Sequence, residues 1–250
     1  SKTYQWLPSE FRVSKEGKVT IRSYINNLHP VWHRELYPVI AKIFELFVPL
    51  FNKVLTDLRQ LEWHRISPLV DDYYEGKPKK SDYPSLEEYY EVYEEWWKTR
   101  VPIQPTPPPY NEETYPKPTR EVDLKGRDLQ VIVKLANIIL TPDKPEYDGG
   151  VWHVEGMENE HIVASGIYYY DVENVTDSFL AFRQAVQEPP YEQNDLKAPA
   201  QLFGLPDAAT LNQRLGQVLT CGGRCLAFPN ILQHRVSPFS LEDRTRPGHR

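Results

Sequence analysis

Sulfur is scarce in this chain. Its 250 residues hold two cysteines and one methionine. A structural zinc site takes four Cys or His ligands, and no second cysteine pair accompanies Cys221 and Cys225 in CGGRC. A disulfide across so short a loop is geometrically awkward, so two reduced thiols are expected. With no signal-peptide-like start, that points to the cytoplasm. Long apolar runs are missing too. Nothing approaches the roughly 20 residues a spanning helix needs, mean hydropathy is −0.58, and no membrane partner is expected. Basic charge is in deficit: 29 Lys and Arg stand against 35 Asp and Glu, a net −6. A surface that tracks phosphates favours an excess of Lys and Arg, so no nucleic-acid partner is expected. The densest basic stretch is RTRPGHR, residues 244–250. There is no internal repeat, no GxxxxGK loop and no GxGxxG, and the oligomeric state is left open. The chain starts at Ser1 without Met and stops at Arg250, which reads as a trimmed piece of a longer protein.

What the sequence does have divides near residue 120. Residues 32–59 place Leu36, Val39, Ile40, Ile43, Phe44, Phe47, Leu50 and Phe51 at three- and four-residue steps, the stripe of one long helix that a sheet must cover. A second helix is expected from Ser85, where SLEE has capping-box spacing. It continues through YYEVYEEWWKTR. Residues 101–118 then carry seven prolines, which neither a helix nor a central strand tolerates, so they read as an extended strap. Docking to a proline-reading domain is the competing role for that strap. After it the character turns β. LQVIVKLANIIL (129–140) suits a strand buried on both faces, and further strands are expected at 161–170, 178–186 and 224–228. No crossover-helix pattern intervenes, which favours an antiparallel sandwich or barrel.

Chemistry narrows to the histidines. His29 and His33 straddle Pro30, which marks a helix start rather than a shared face, and His64 has no partner nearby. His153 and Glu155, in GGVWHVEGMENEH, lie two apart, so on an extended segment both side chains point one way. They need a third ligand, and the best supplier is His234 in GRCLAFPNILQHRVSPF, where a strand and turn lead to a histidine. Two imidazoles and one carboxylate on one face of an ion leave the remaining positions open, the arrangement of non-haem Fe(II) oxygenases. Glu160 and His161 are adjacent; on a strand they would face opposite ways, and they are read as structural.

The segment GRCLAFPNILQHRVSPF…PGHR resembles the second half of the double-stranded β-helix in Fe(II)/2-oxoglutarate-dependent oxygenases, especially their prolyl-hydroxylase-like branch. More closely, the chain resembles a fungal family of unassigned function through YQWLPSEFRVSKEGKVTIRSYINNLHP, RVPIQPTPPPY, VIVKLANIILTP, GGVWHVEGMENEHIVASGIYYYD and FPNILQHRVSPF…PGHR. The resemblance implies an α+β protein with a double-stranded β-helix (jelly-roll) core at 121–250, lacking its last strand or strands here. Helices of region 1–120, with the strap at 101–118, would pack on that core. His153, Glu155 and His234 would hold Fe(II), and Arg250 would bind the remote carboxylate of the co-substrate 2-oxoglutarate. The spacing from His234 to Arg250 is longer than is usual there, so Arg244 competes. Tyr168, first of the run Tyr168–Tyr170, is placed to offer a hydroxyl to co-substrate or substrate, with packing as its alternative role. Related halogenases leave the carboxylate position to chloride, so an intact Glu155 implies hydroxylation, desaturation or oxidative cyclisation with O2. The expected substrate is a small molecule, an amino acid or secondary metabolite. A protein-directed hydroxylase or demethylase, a non-catalytic jelly-roll scaffold and a cupin-like metalloenzyme are the competing readings.

Overall fold

The computed structural model describes residues 6–59, 74–104, 106, 109, 111, 120–189, 191 and 193–250. These residues carry strands β1 (Ser9–Val13) and β2 (Val19–Ile21), then helices α1 (Leu36–Arg59) and α2 (Leu86–Thr99). Strands β3 (Asp128–Val131), β4 (Ile139–Leu140), β5 (Glu146–Tyr147), β6 (Ala164–Tyr168) and β7 (Phe179–Ala185) follow. Helix α3 (Lys197–Phe203) precedes β8 (Asn212–Leu219), β9 (Cys225–Pro229), β10 (Leu232–Val236), β11 (Phe239–Ser240) and β12 (Gly248–His249). The protein is therefore α+β, with three α-helices and several small antiparallel sheets among the described residues. No closed barrel forms among them. No helix there is long and apolar enough to cross a membrane. Cys221 and Cys225 are free thiols.

Two compact units are built from these elements. The first combines residues 1–61, 117–184 and 214–250. Its sheets run β2-β1-β3, β10-β7-β8, β11-β5, β12-β4 and β6-β9. Strand β1 alternates so that Ser9, Phe11 and Val13 turn inward, and Phe11 and Val13 form a core with Val19, Val48 and Leu124. Helix α1 starts at Leu36, the first residue of its apolar stripe and four residues after the expected start at 32, because His29 Nδ1 accepts the Val31 and Trp32 N–H groups in a turn beforehand. It packs on β2, β6 and β9, the cover that its apolar stripe required. The approach is close at Gly166 of β6, where a Cβ would fall 2.7 Å from Phe47 Cε1 and 2.9 Å from Phe51 Cζ. A second small core joins Leu140, Phe239 and Leu241.

The expectation of one buried strand over 129–140 is corrected. That stretch splits into β3 and β4, which belong to different sheets. β3 pairs with β1 at a sheet edge and β4 with β12, so the chain leaves one sheet before joining the next. Leu135 and Ile139 are exposed, which a strand covered on both faces would not allow. The strand expected from His161 begins only at Ala164: His161 has φ 51° and caps a single 3-10 turn over Glu158–Glu160.

The second unit comprises residues 62–116 and 185–213. Helix α2 is capped as its sequence suggested, Ser85 Oγ accepting the Glu88 N–H at 3.2 Å. Much of the strap at 101–118 lies outside the described residues, as does His64. The unit is pinned by Asp195, which is fully buried. Its carboxylate accepts from the Tyr74 hydroxyl at 2.7 Å, from Arg100 Nη2 at 3.0 Å and from the Lys197 and Ala198 N–H groups. Burial raises the Asp195 pKa, but the Tyr74 hydroxyl, the two amides and the Arg100 charge outweigh it and hold the carboxyl below its usual range. A depressed folded pKa contributes stability that is fully present above the unfolded value and is lost as pH falls through the folded one. Stability is therefore expected to hold from neutrality to about pH 5 and to fall below about pH 4. Thermal melts at stepped pH check this, and in Asp195→Asn the acid-side slope should flatten.

Candidate metal centre

His234 sits at the middle of β10, which β7 covers on one side, His234 standing opposite Phe182. On its other side the segment 150–153 runs antiparallel to it. His153 N–H donates to the His234 carbonyl at 3.2 Å, His234 N–H to the His153 carbonyl at 2.9 Å, and Gly150 N–H to the Val236 carbonyl at 3.0 Å. Residues directly opposed across two antiparallel strands project their side chains to the same face. The two rings accordingly lie 4.4 Å apart, centroid to centroid. Glu155, two positions on, turns to the same side.

The three side chains converge. Glu155 Oε1 lies 3.7 Å from His153 Nε2 and 3.4 Å from His234 Nε2. One ligand atom from each residue lies within 4.8 Å of the others. Ligands about 2.1 Å from an ion and at right angles would be about 3 Å apart, so this set could meet a first-row divalent metal after a modest closure. The donor chemistry fits too. His153 Nδ1 lies 2.8 Å from the Val151 carbonyl, where only an N–H can sit, and this leaves the Nε2 lone pair free to bind. Glu155 is held below the usual carboxylate range, first by its bond to the His234 side chain, against its burial, and then by the charge of Lys134. It is ionised at neutral pH, the form that ligates.

Access is one-sided. His234 is 3% exposed, with Phe228 edge-on at 4.9 Å and Phe182 at 6.4 Å. Its Nδ1 is buried with no partner among the described residues, so aromatic packing sets the ring orientation. His153 and Glu155 form the rim, their side chains 44% and 35% exposed. Immediately after Glu155 the chain turns at Gly156, with φ 71°, where a Cβ would meet Ile162 Cδ1 at 2.6 Å. Glu160 and His161 stay out of the cluster for a reason other than strand alternation. Glu160 Oε2 accepts the Met157 N–H at 2.7 Å and closes the turn that His161 caps.

The three arginines of 244–250 differ in environment. Arg244 is exposed and paired with Glu146 at 2.9 Å. Arg246 is paired with Glu173 at 2.8 Å. Arg250 follows β12, its backbone bonded both ways to Ile138. Its partly buried guanidinium touches the Ser178 hydroxyl and lies 5.0 Å from the Tyr169 ring and 5.3 Å from the Phe239 ring. No carboxylate of the described residues pairs with it. Burial pulls its pKa below the ordinary value, opposed by the Tyr169 and Tyr147 phenols. The structure thus brings Tyr169, not Tyr168, to this cation; Tyr168 is partly buried in β6, opposite Cys225. The YYY run gave no alternation from which to choose. Ser178, Tyr147 and Phe228 also escaped the sequence reading, because each arrives by tertiary packing alone.

The whole chain, residues 1–250, matches a protein family whose description reads "protein of unknown function (DUF4246)". No curated protein and no solved structure matches it.

Proposed function

The chain belongs to DUF4246, a family of unknown function, and from its residues we propose that it is an Fe(II)/2-oxoglutarate-dependent oxygenase acting on a small molecule. The observation that carries this reading is the convergence of two imidazoles and one carboxylate on one face, two of them partly open to solvent. That donor set with open positions suits non-haem Fe(II). A double-stranded β-helix core is part of the proposal; the antiparallel pairing in short ladders supports it.

Each residue then has a defined task. His153, fixed in one tautomer by Val151, presents a nitrogen lone pair, and His234, packed against Phe228 and Phe182, does so once an ion displaces the proton that Nε2 directs at Glu155. Glu155 supplies the anionic ligand. Arg250, partly buried with Tyr169, Tyr147 and Ser178 around it, neutralises the remote carboxylate of 2-oxoglutarate with its planar fork. Phe182 and Phe228 keep water from the deep side of the site. Fe(II), O2 and 2-oxoglutarate would supply the oxidation, with release of succinate and CO2; the second oxygen atom would enter the substrate in hydroxylation or leave as water in desaturation or cyclisation.

Protein reconstituted without oxygen, then exposed to O2, should release succinate only when both Fe(II) and 2-oxoglutarate are present. Chelation should abolish it. Metal-loaded protein that leaves 2-oxoglutarate unchanged, with or without small amines, amino acids and peptides, would overturn the reading. Turnover stimulated by peptides alone would instead make it protein-directed.

A further inference from the structure

The segment that carries two of the proposed ligands has little strand around it. His153 exchanges both backbone bonds with His234, an isolated bridge. In an antiparallel ladder the next bonded pair lies two residues along each strand, which would set Glu155 opposite Leu232. Glu155 bonds elsewhere. Its N–H donates to Asn230 Oδ1 at 2.9 Å, and its carbonyl accepts from Asn230 Nδ2 at 2.8 Å. We propose that Asn230 is a positioning residue for the metal centre, a side-chain substitute for the missing strand partner that fixes Glu155 facing the two histidines. The inference rests on the metal-binding reading above.

Three features make the carboxamide suited to this. It matches a peptide group, one acceptor beside a donor, so it can complete a ladder rung that a carboxylate or hydroxyl cannot. Its second N–H donates to the Ile162 carbonyl at 3.0 Å, so one side chain holds both ends of the excursion from Gly156 to His161. Its own backbone is fixed independently. Asn230 follows β9 at the turn into β10, and its N–H donates to the Val163 carbonyl at 3.1 Å. The turn that leads into β10 and His234 therefore also sets Glu155, and the ligands from the two parts of the chain are placed by one turn. Ordering the carboxylate before an ion arrives removes a cost that binding would otherwise bear.

Co(II) titration under anaerobic conditions, followed by its visible absorption, tests this on four proteins: wild type, Asn230→Ala, Glu155→Ala and the double variant. Asn230→Ala is expected to bind Co(II) about 10- to 100-fold more weakly, with an altered spectrum and unchanged near-ultraviolet circular dichroism. Acting through Glu155, the substitution should add nothing in the Glu155→Ala background. Faster hydrogen exchange at the Glu155 amide should accompany it without any metal. Should Asn230→Ala not fold, Asn230→Ser, which can keep only one of the bonds, is read in the same way. Wild-type affinity in the folded variant, or an equal loss in both backgrounds, overturns the positioning role. A wild-type protein that binds no Co(II) overturns the metal reading itself, and the two failures are thus told apart.

Discussion

His234→Ala should lower Fe(II) or Co(II) affinity by more than about 100-fold, since altering an outer partner of a ligand alone costs 10- to 100-fold. Succinate formation should fall to background. His234 is the deepest of the three clustered residues, packed against Phe228 and Phe182 and carried on a strand bonded to β7 on one side and to Gly150 and His153 on the other. His161→Ala and His249→Ala serve as controls. His161 caps a turn away from the cluster, and His249 Nε2 lies 2.8 Å from Asp171 on the surface. Both variants should keep wild-type metal affinity. Metal content after dialysis, read beside circular dichroism, separates loss of a ligand from loss of fold. His234→Ala protein that retains a full equivalent of metal would remove this histidine from the site.

Arg250→Ala is the second large effect, and it should fall on 2-oxoglutarate rather than on the metal. A carboxylate held by two charge-assisted bonds of about 1.5 kcal/mol each loses about 3 kcal/mol, or roughly 100-fold in affinity. The guanidinium is partly buried and meets no carboxylate among the described residues, so an incoming anion relieves an existing cost instead of displacing a partner. Arg244 offers the contrast. Its guanidinium is exposed and already paired with Glu146, so Arg244→Ala should leave 2-oxoglutarate affinity nearly unchanged, and the exposed pair itself is worth only about 1 kcal/mol or less of stability. Arg250→Lys should recover part of the loss through charge without the bidentate fork. Anaerobic titration of the metal-loaded variants with 2-oxoglutarate measures all three. An Arg244 effect larger than that of Arg250 would reassign the co-substrate cation.

The convergence of His153, Glu155 and His234 was legible because its information is local. Period-2 geometry links His153 to Glu155, and the strand–turn–histidine pattern at 225–234 offered the third ligand. The SLEE cap of α2 and the stripe of α1 were legible for the same reason: each is set within a few turns of its own helix. What escaped was non-local. Strand β1 spans five residues, and its alternation Ser9, Phe11, Val13 is too short to stand out before β2 and β3 flank it. The apolar run 129–140 looked continuous, yet its two ends pair with partners at opposite ends of the chain, β1 and β12. Asn230 reads as a turn residue in sequence. Only the fold brings Glu155 and Ile162 to its carboxamide. Tyr169 was likewise hidden between two identical neighbours until the fold set it beside Arg250.

A crystal structure of the protein with Fe(II) and 2-oxoglutarate, grown without oxygen and read with anomalous scattering at the iron edge, tests the central claim most directly. The account predicts one iron bound by His153 Nε2, Glu155 and His234, with the keto acid in its open positions and the remote carboxylate on Arg250. An iron bound elsewhere, or one that leaves Glu155 or His234 unligated, would contradict it.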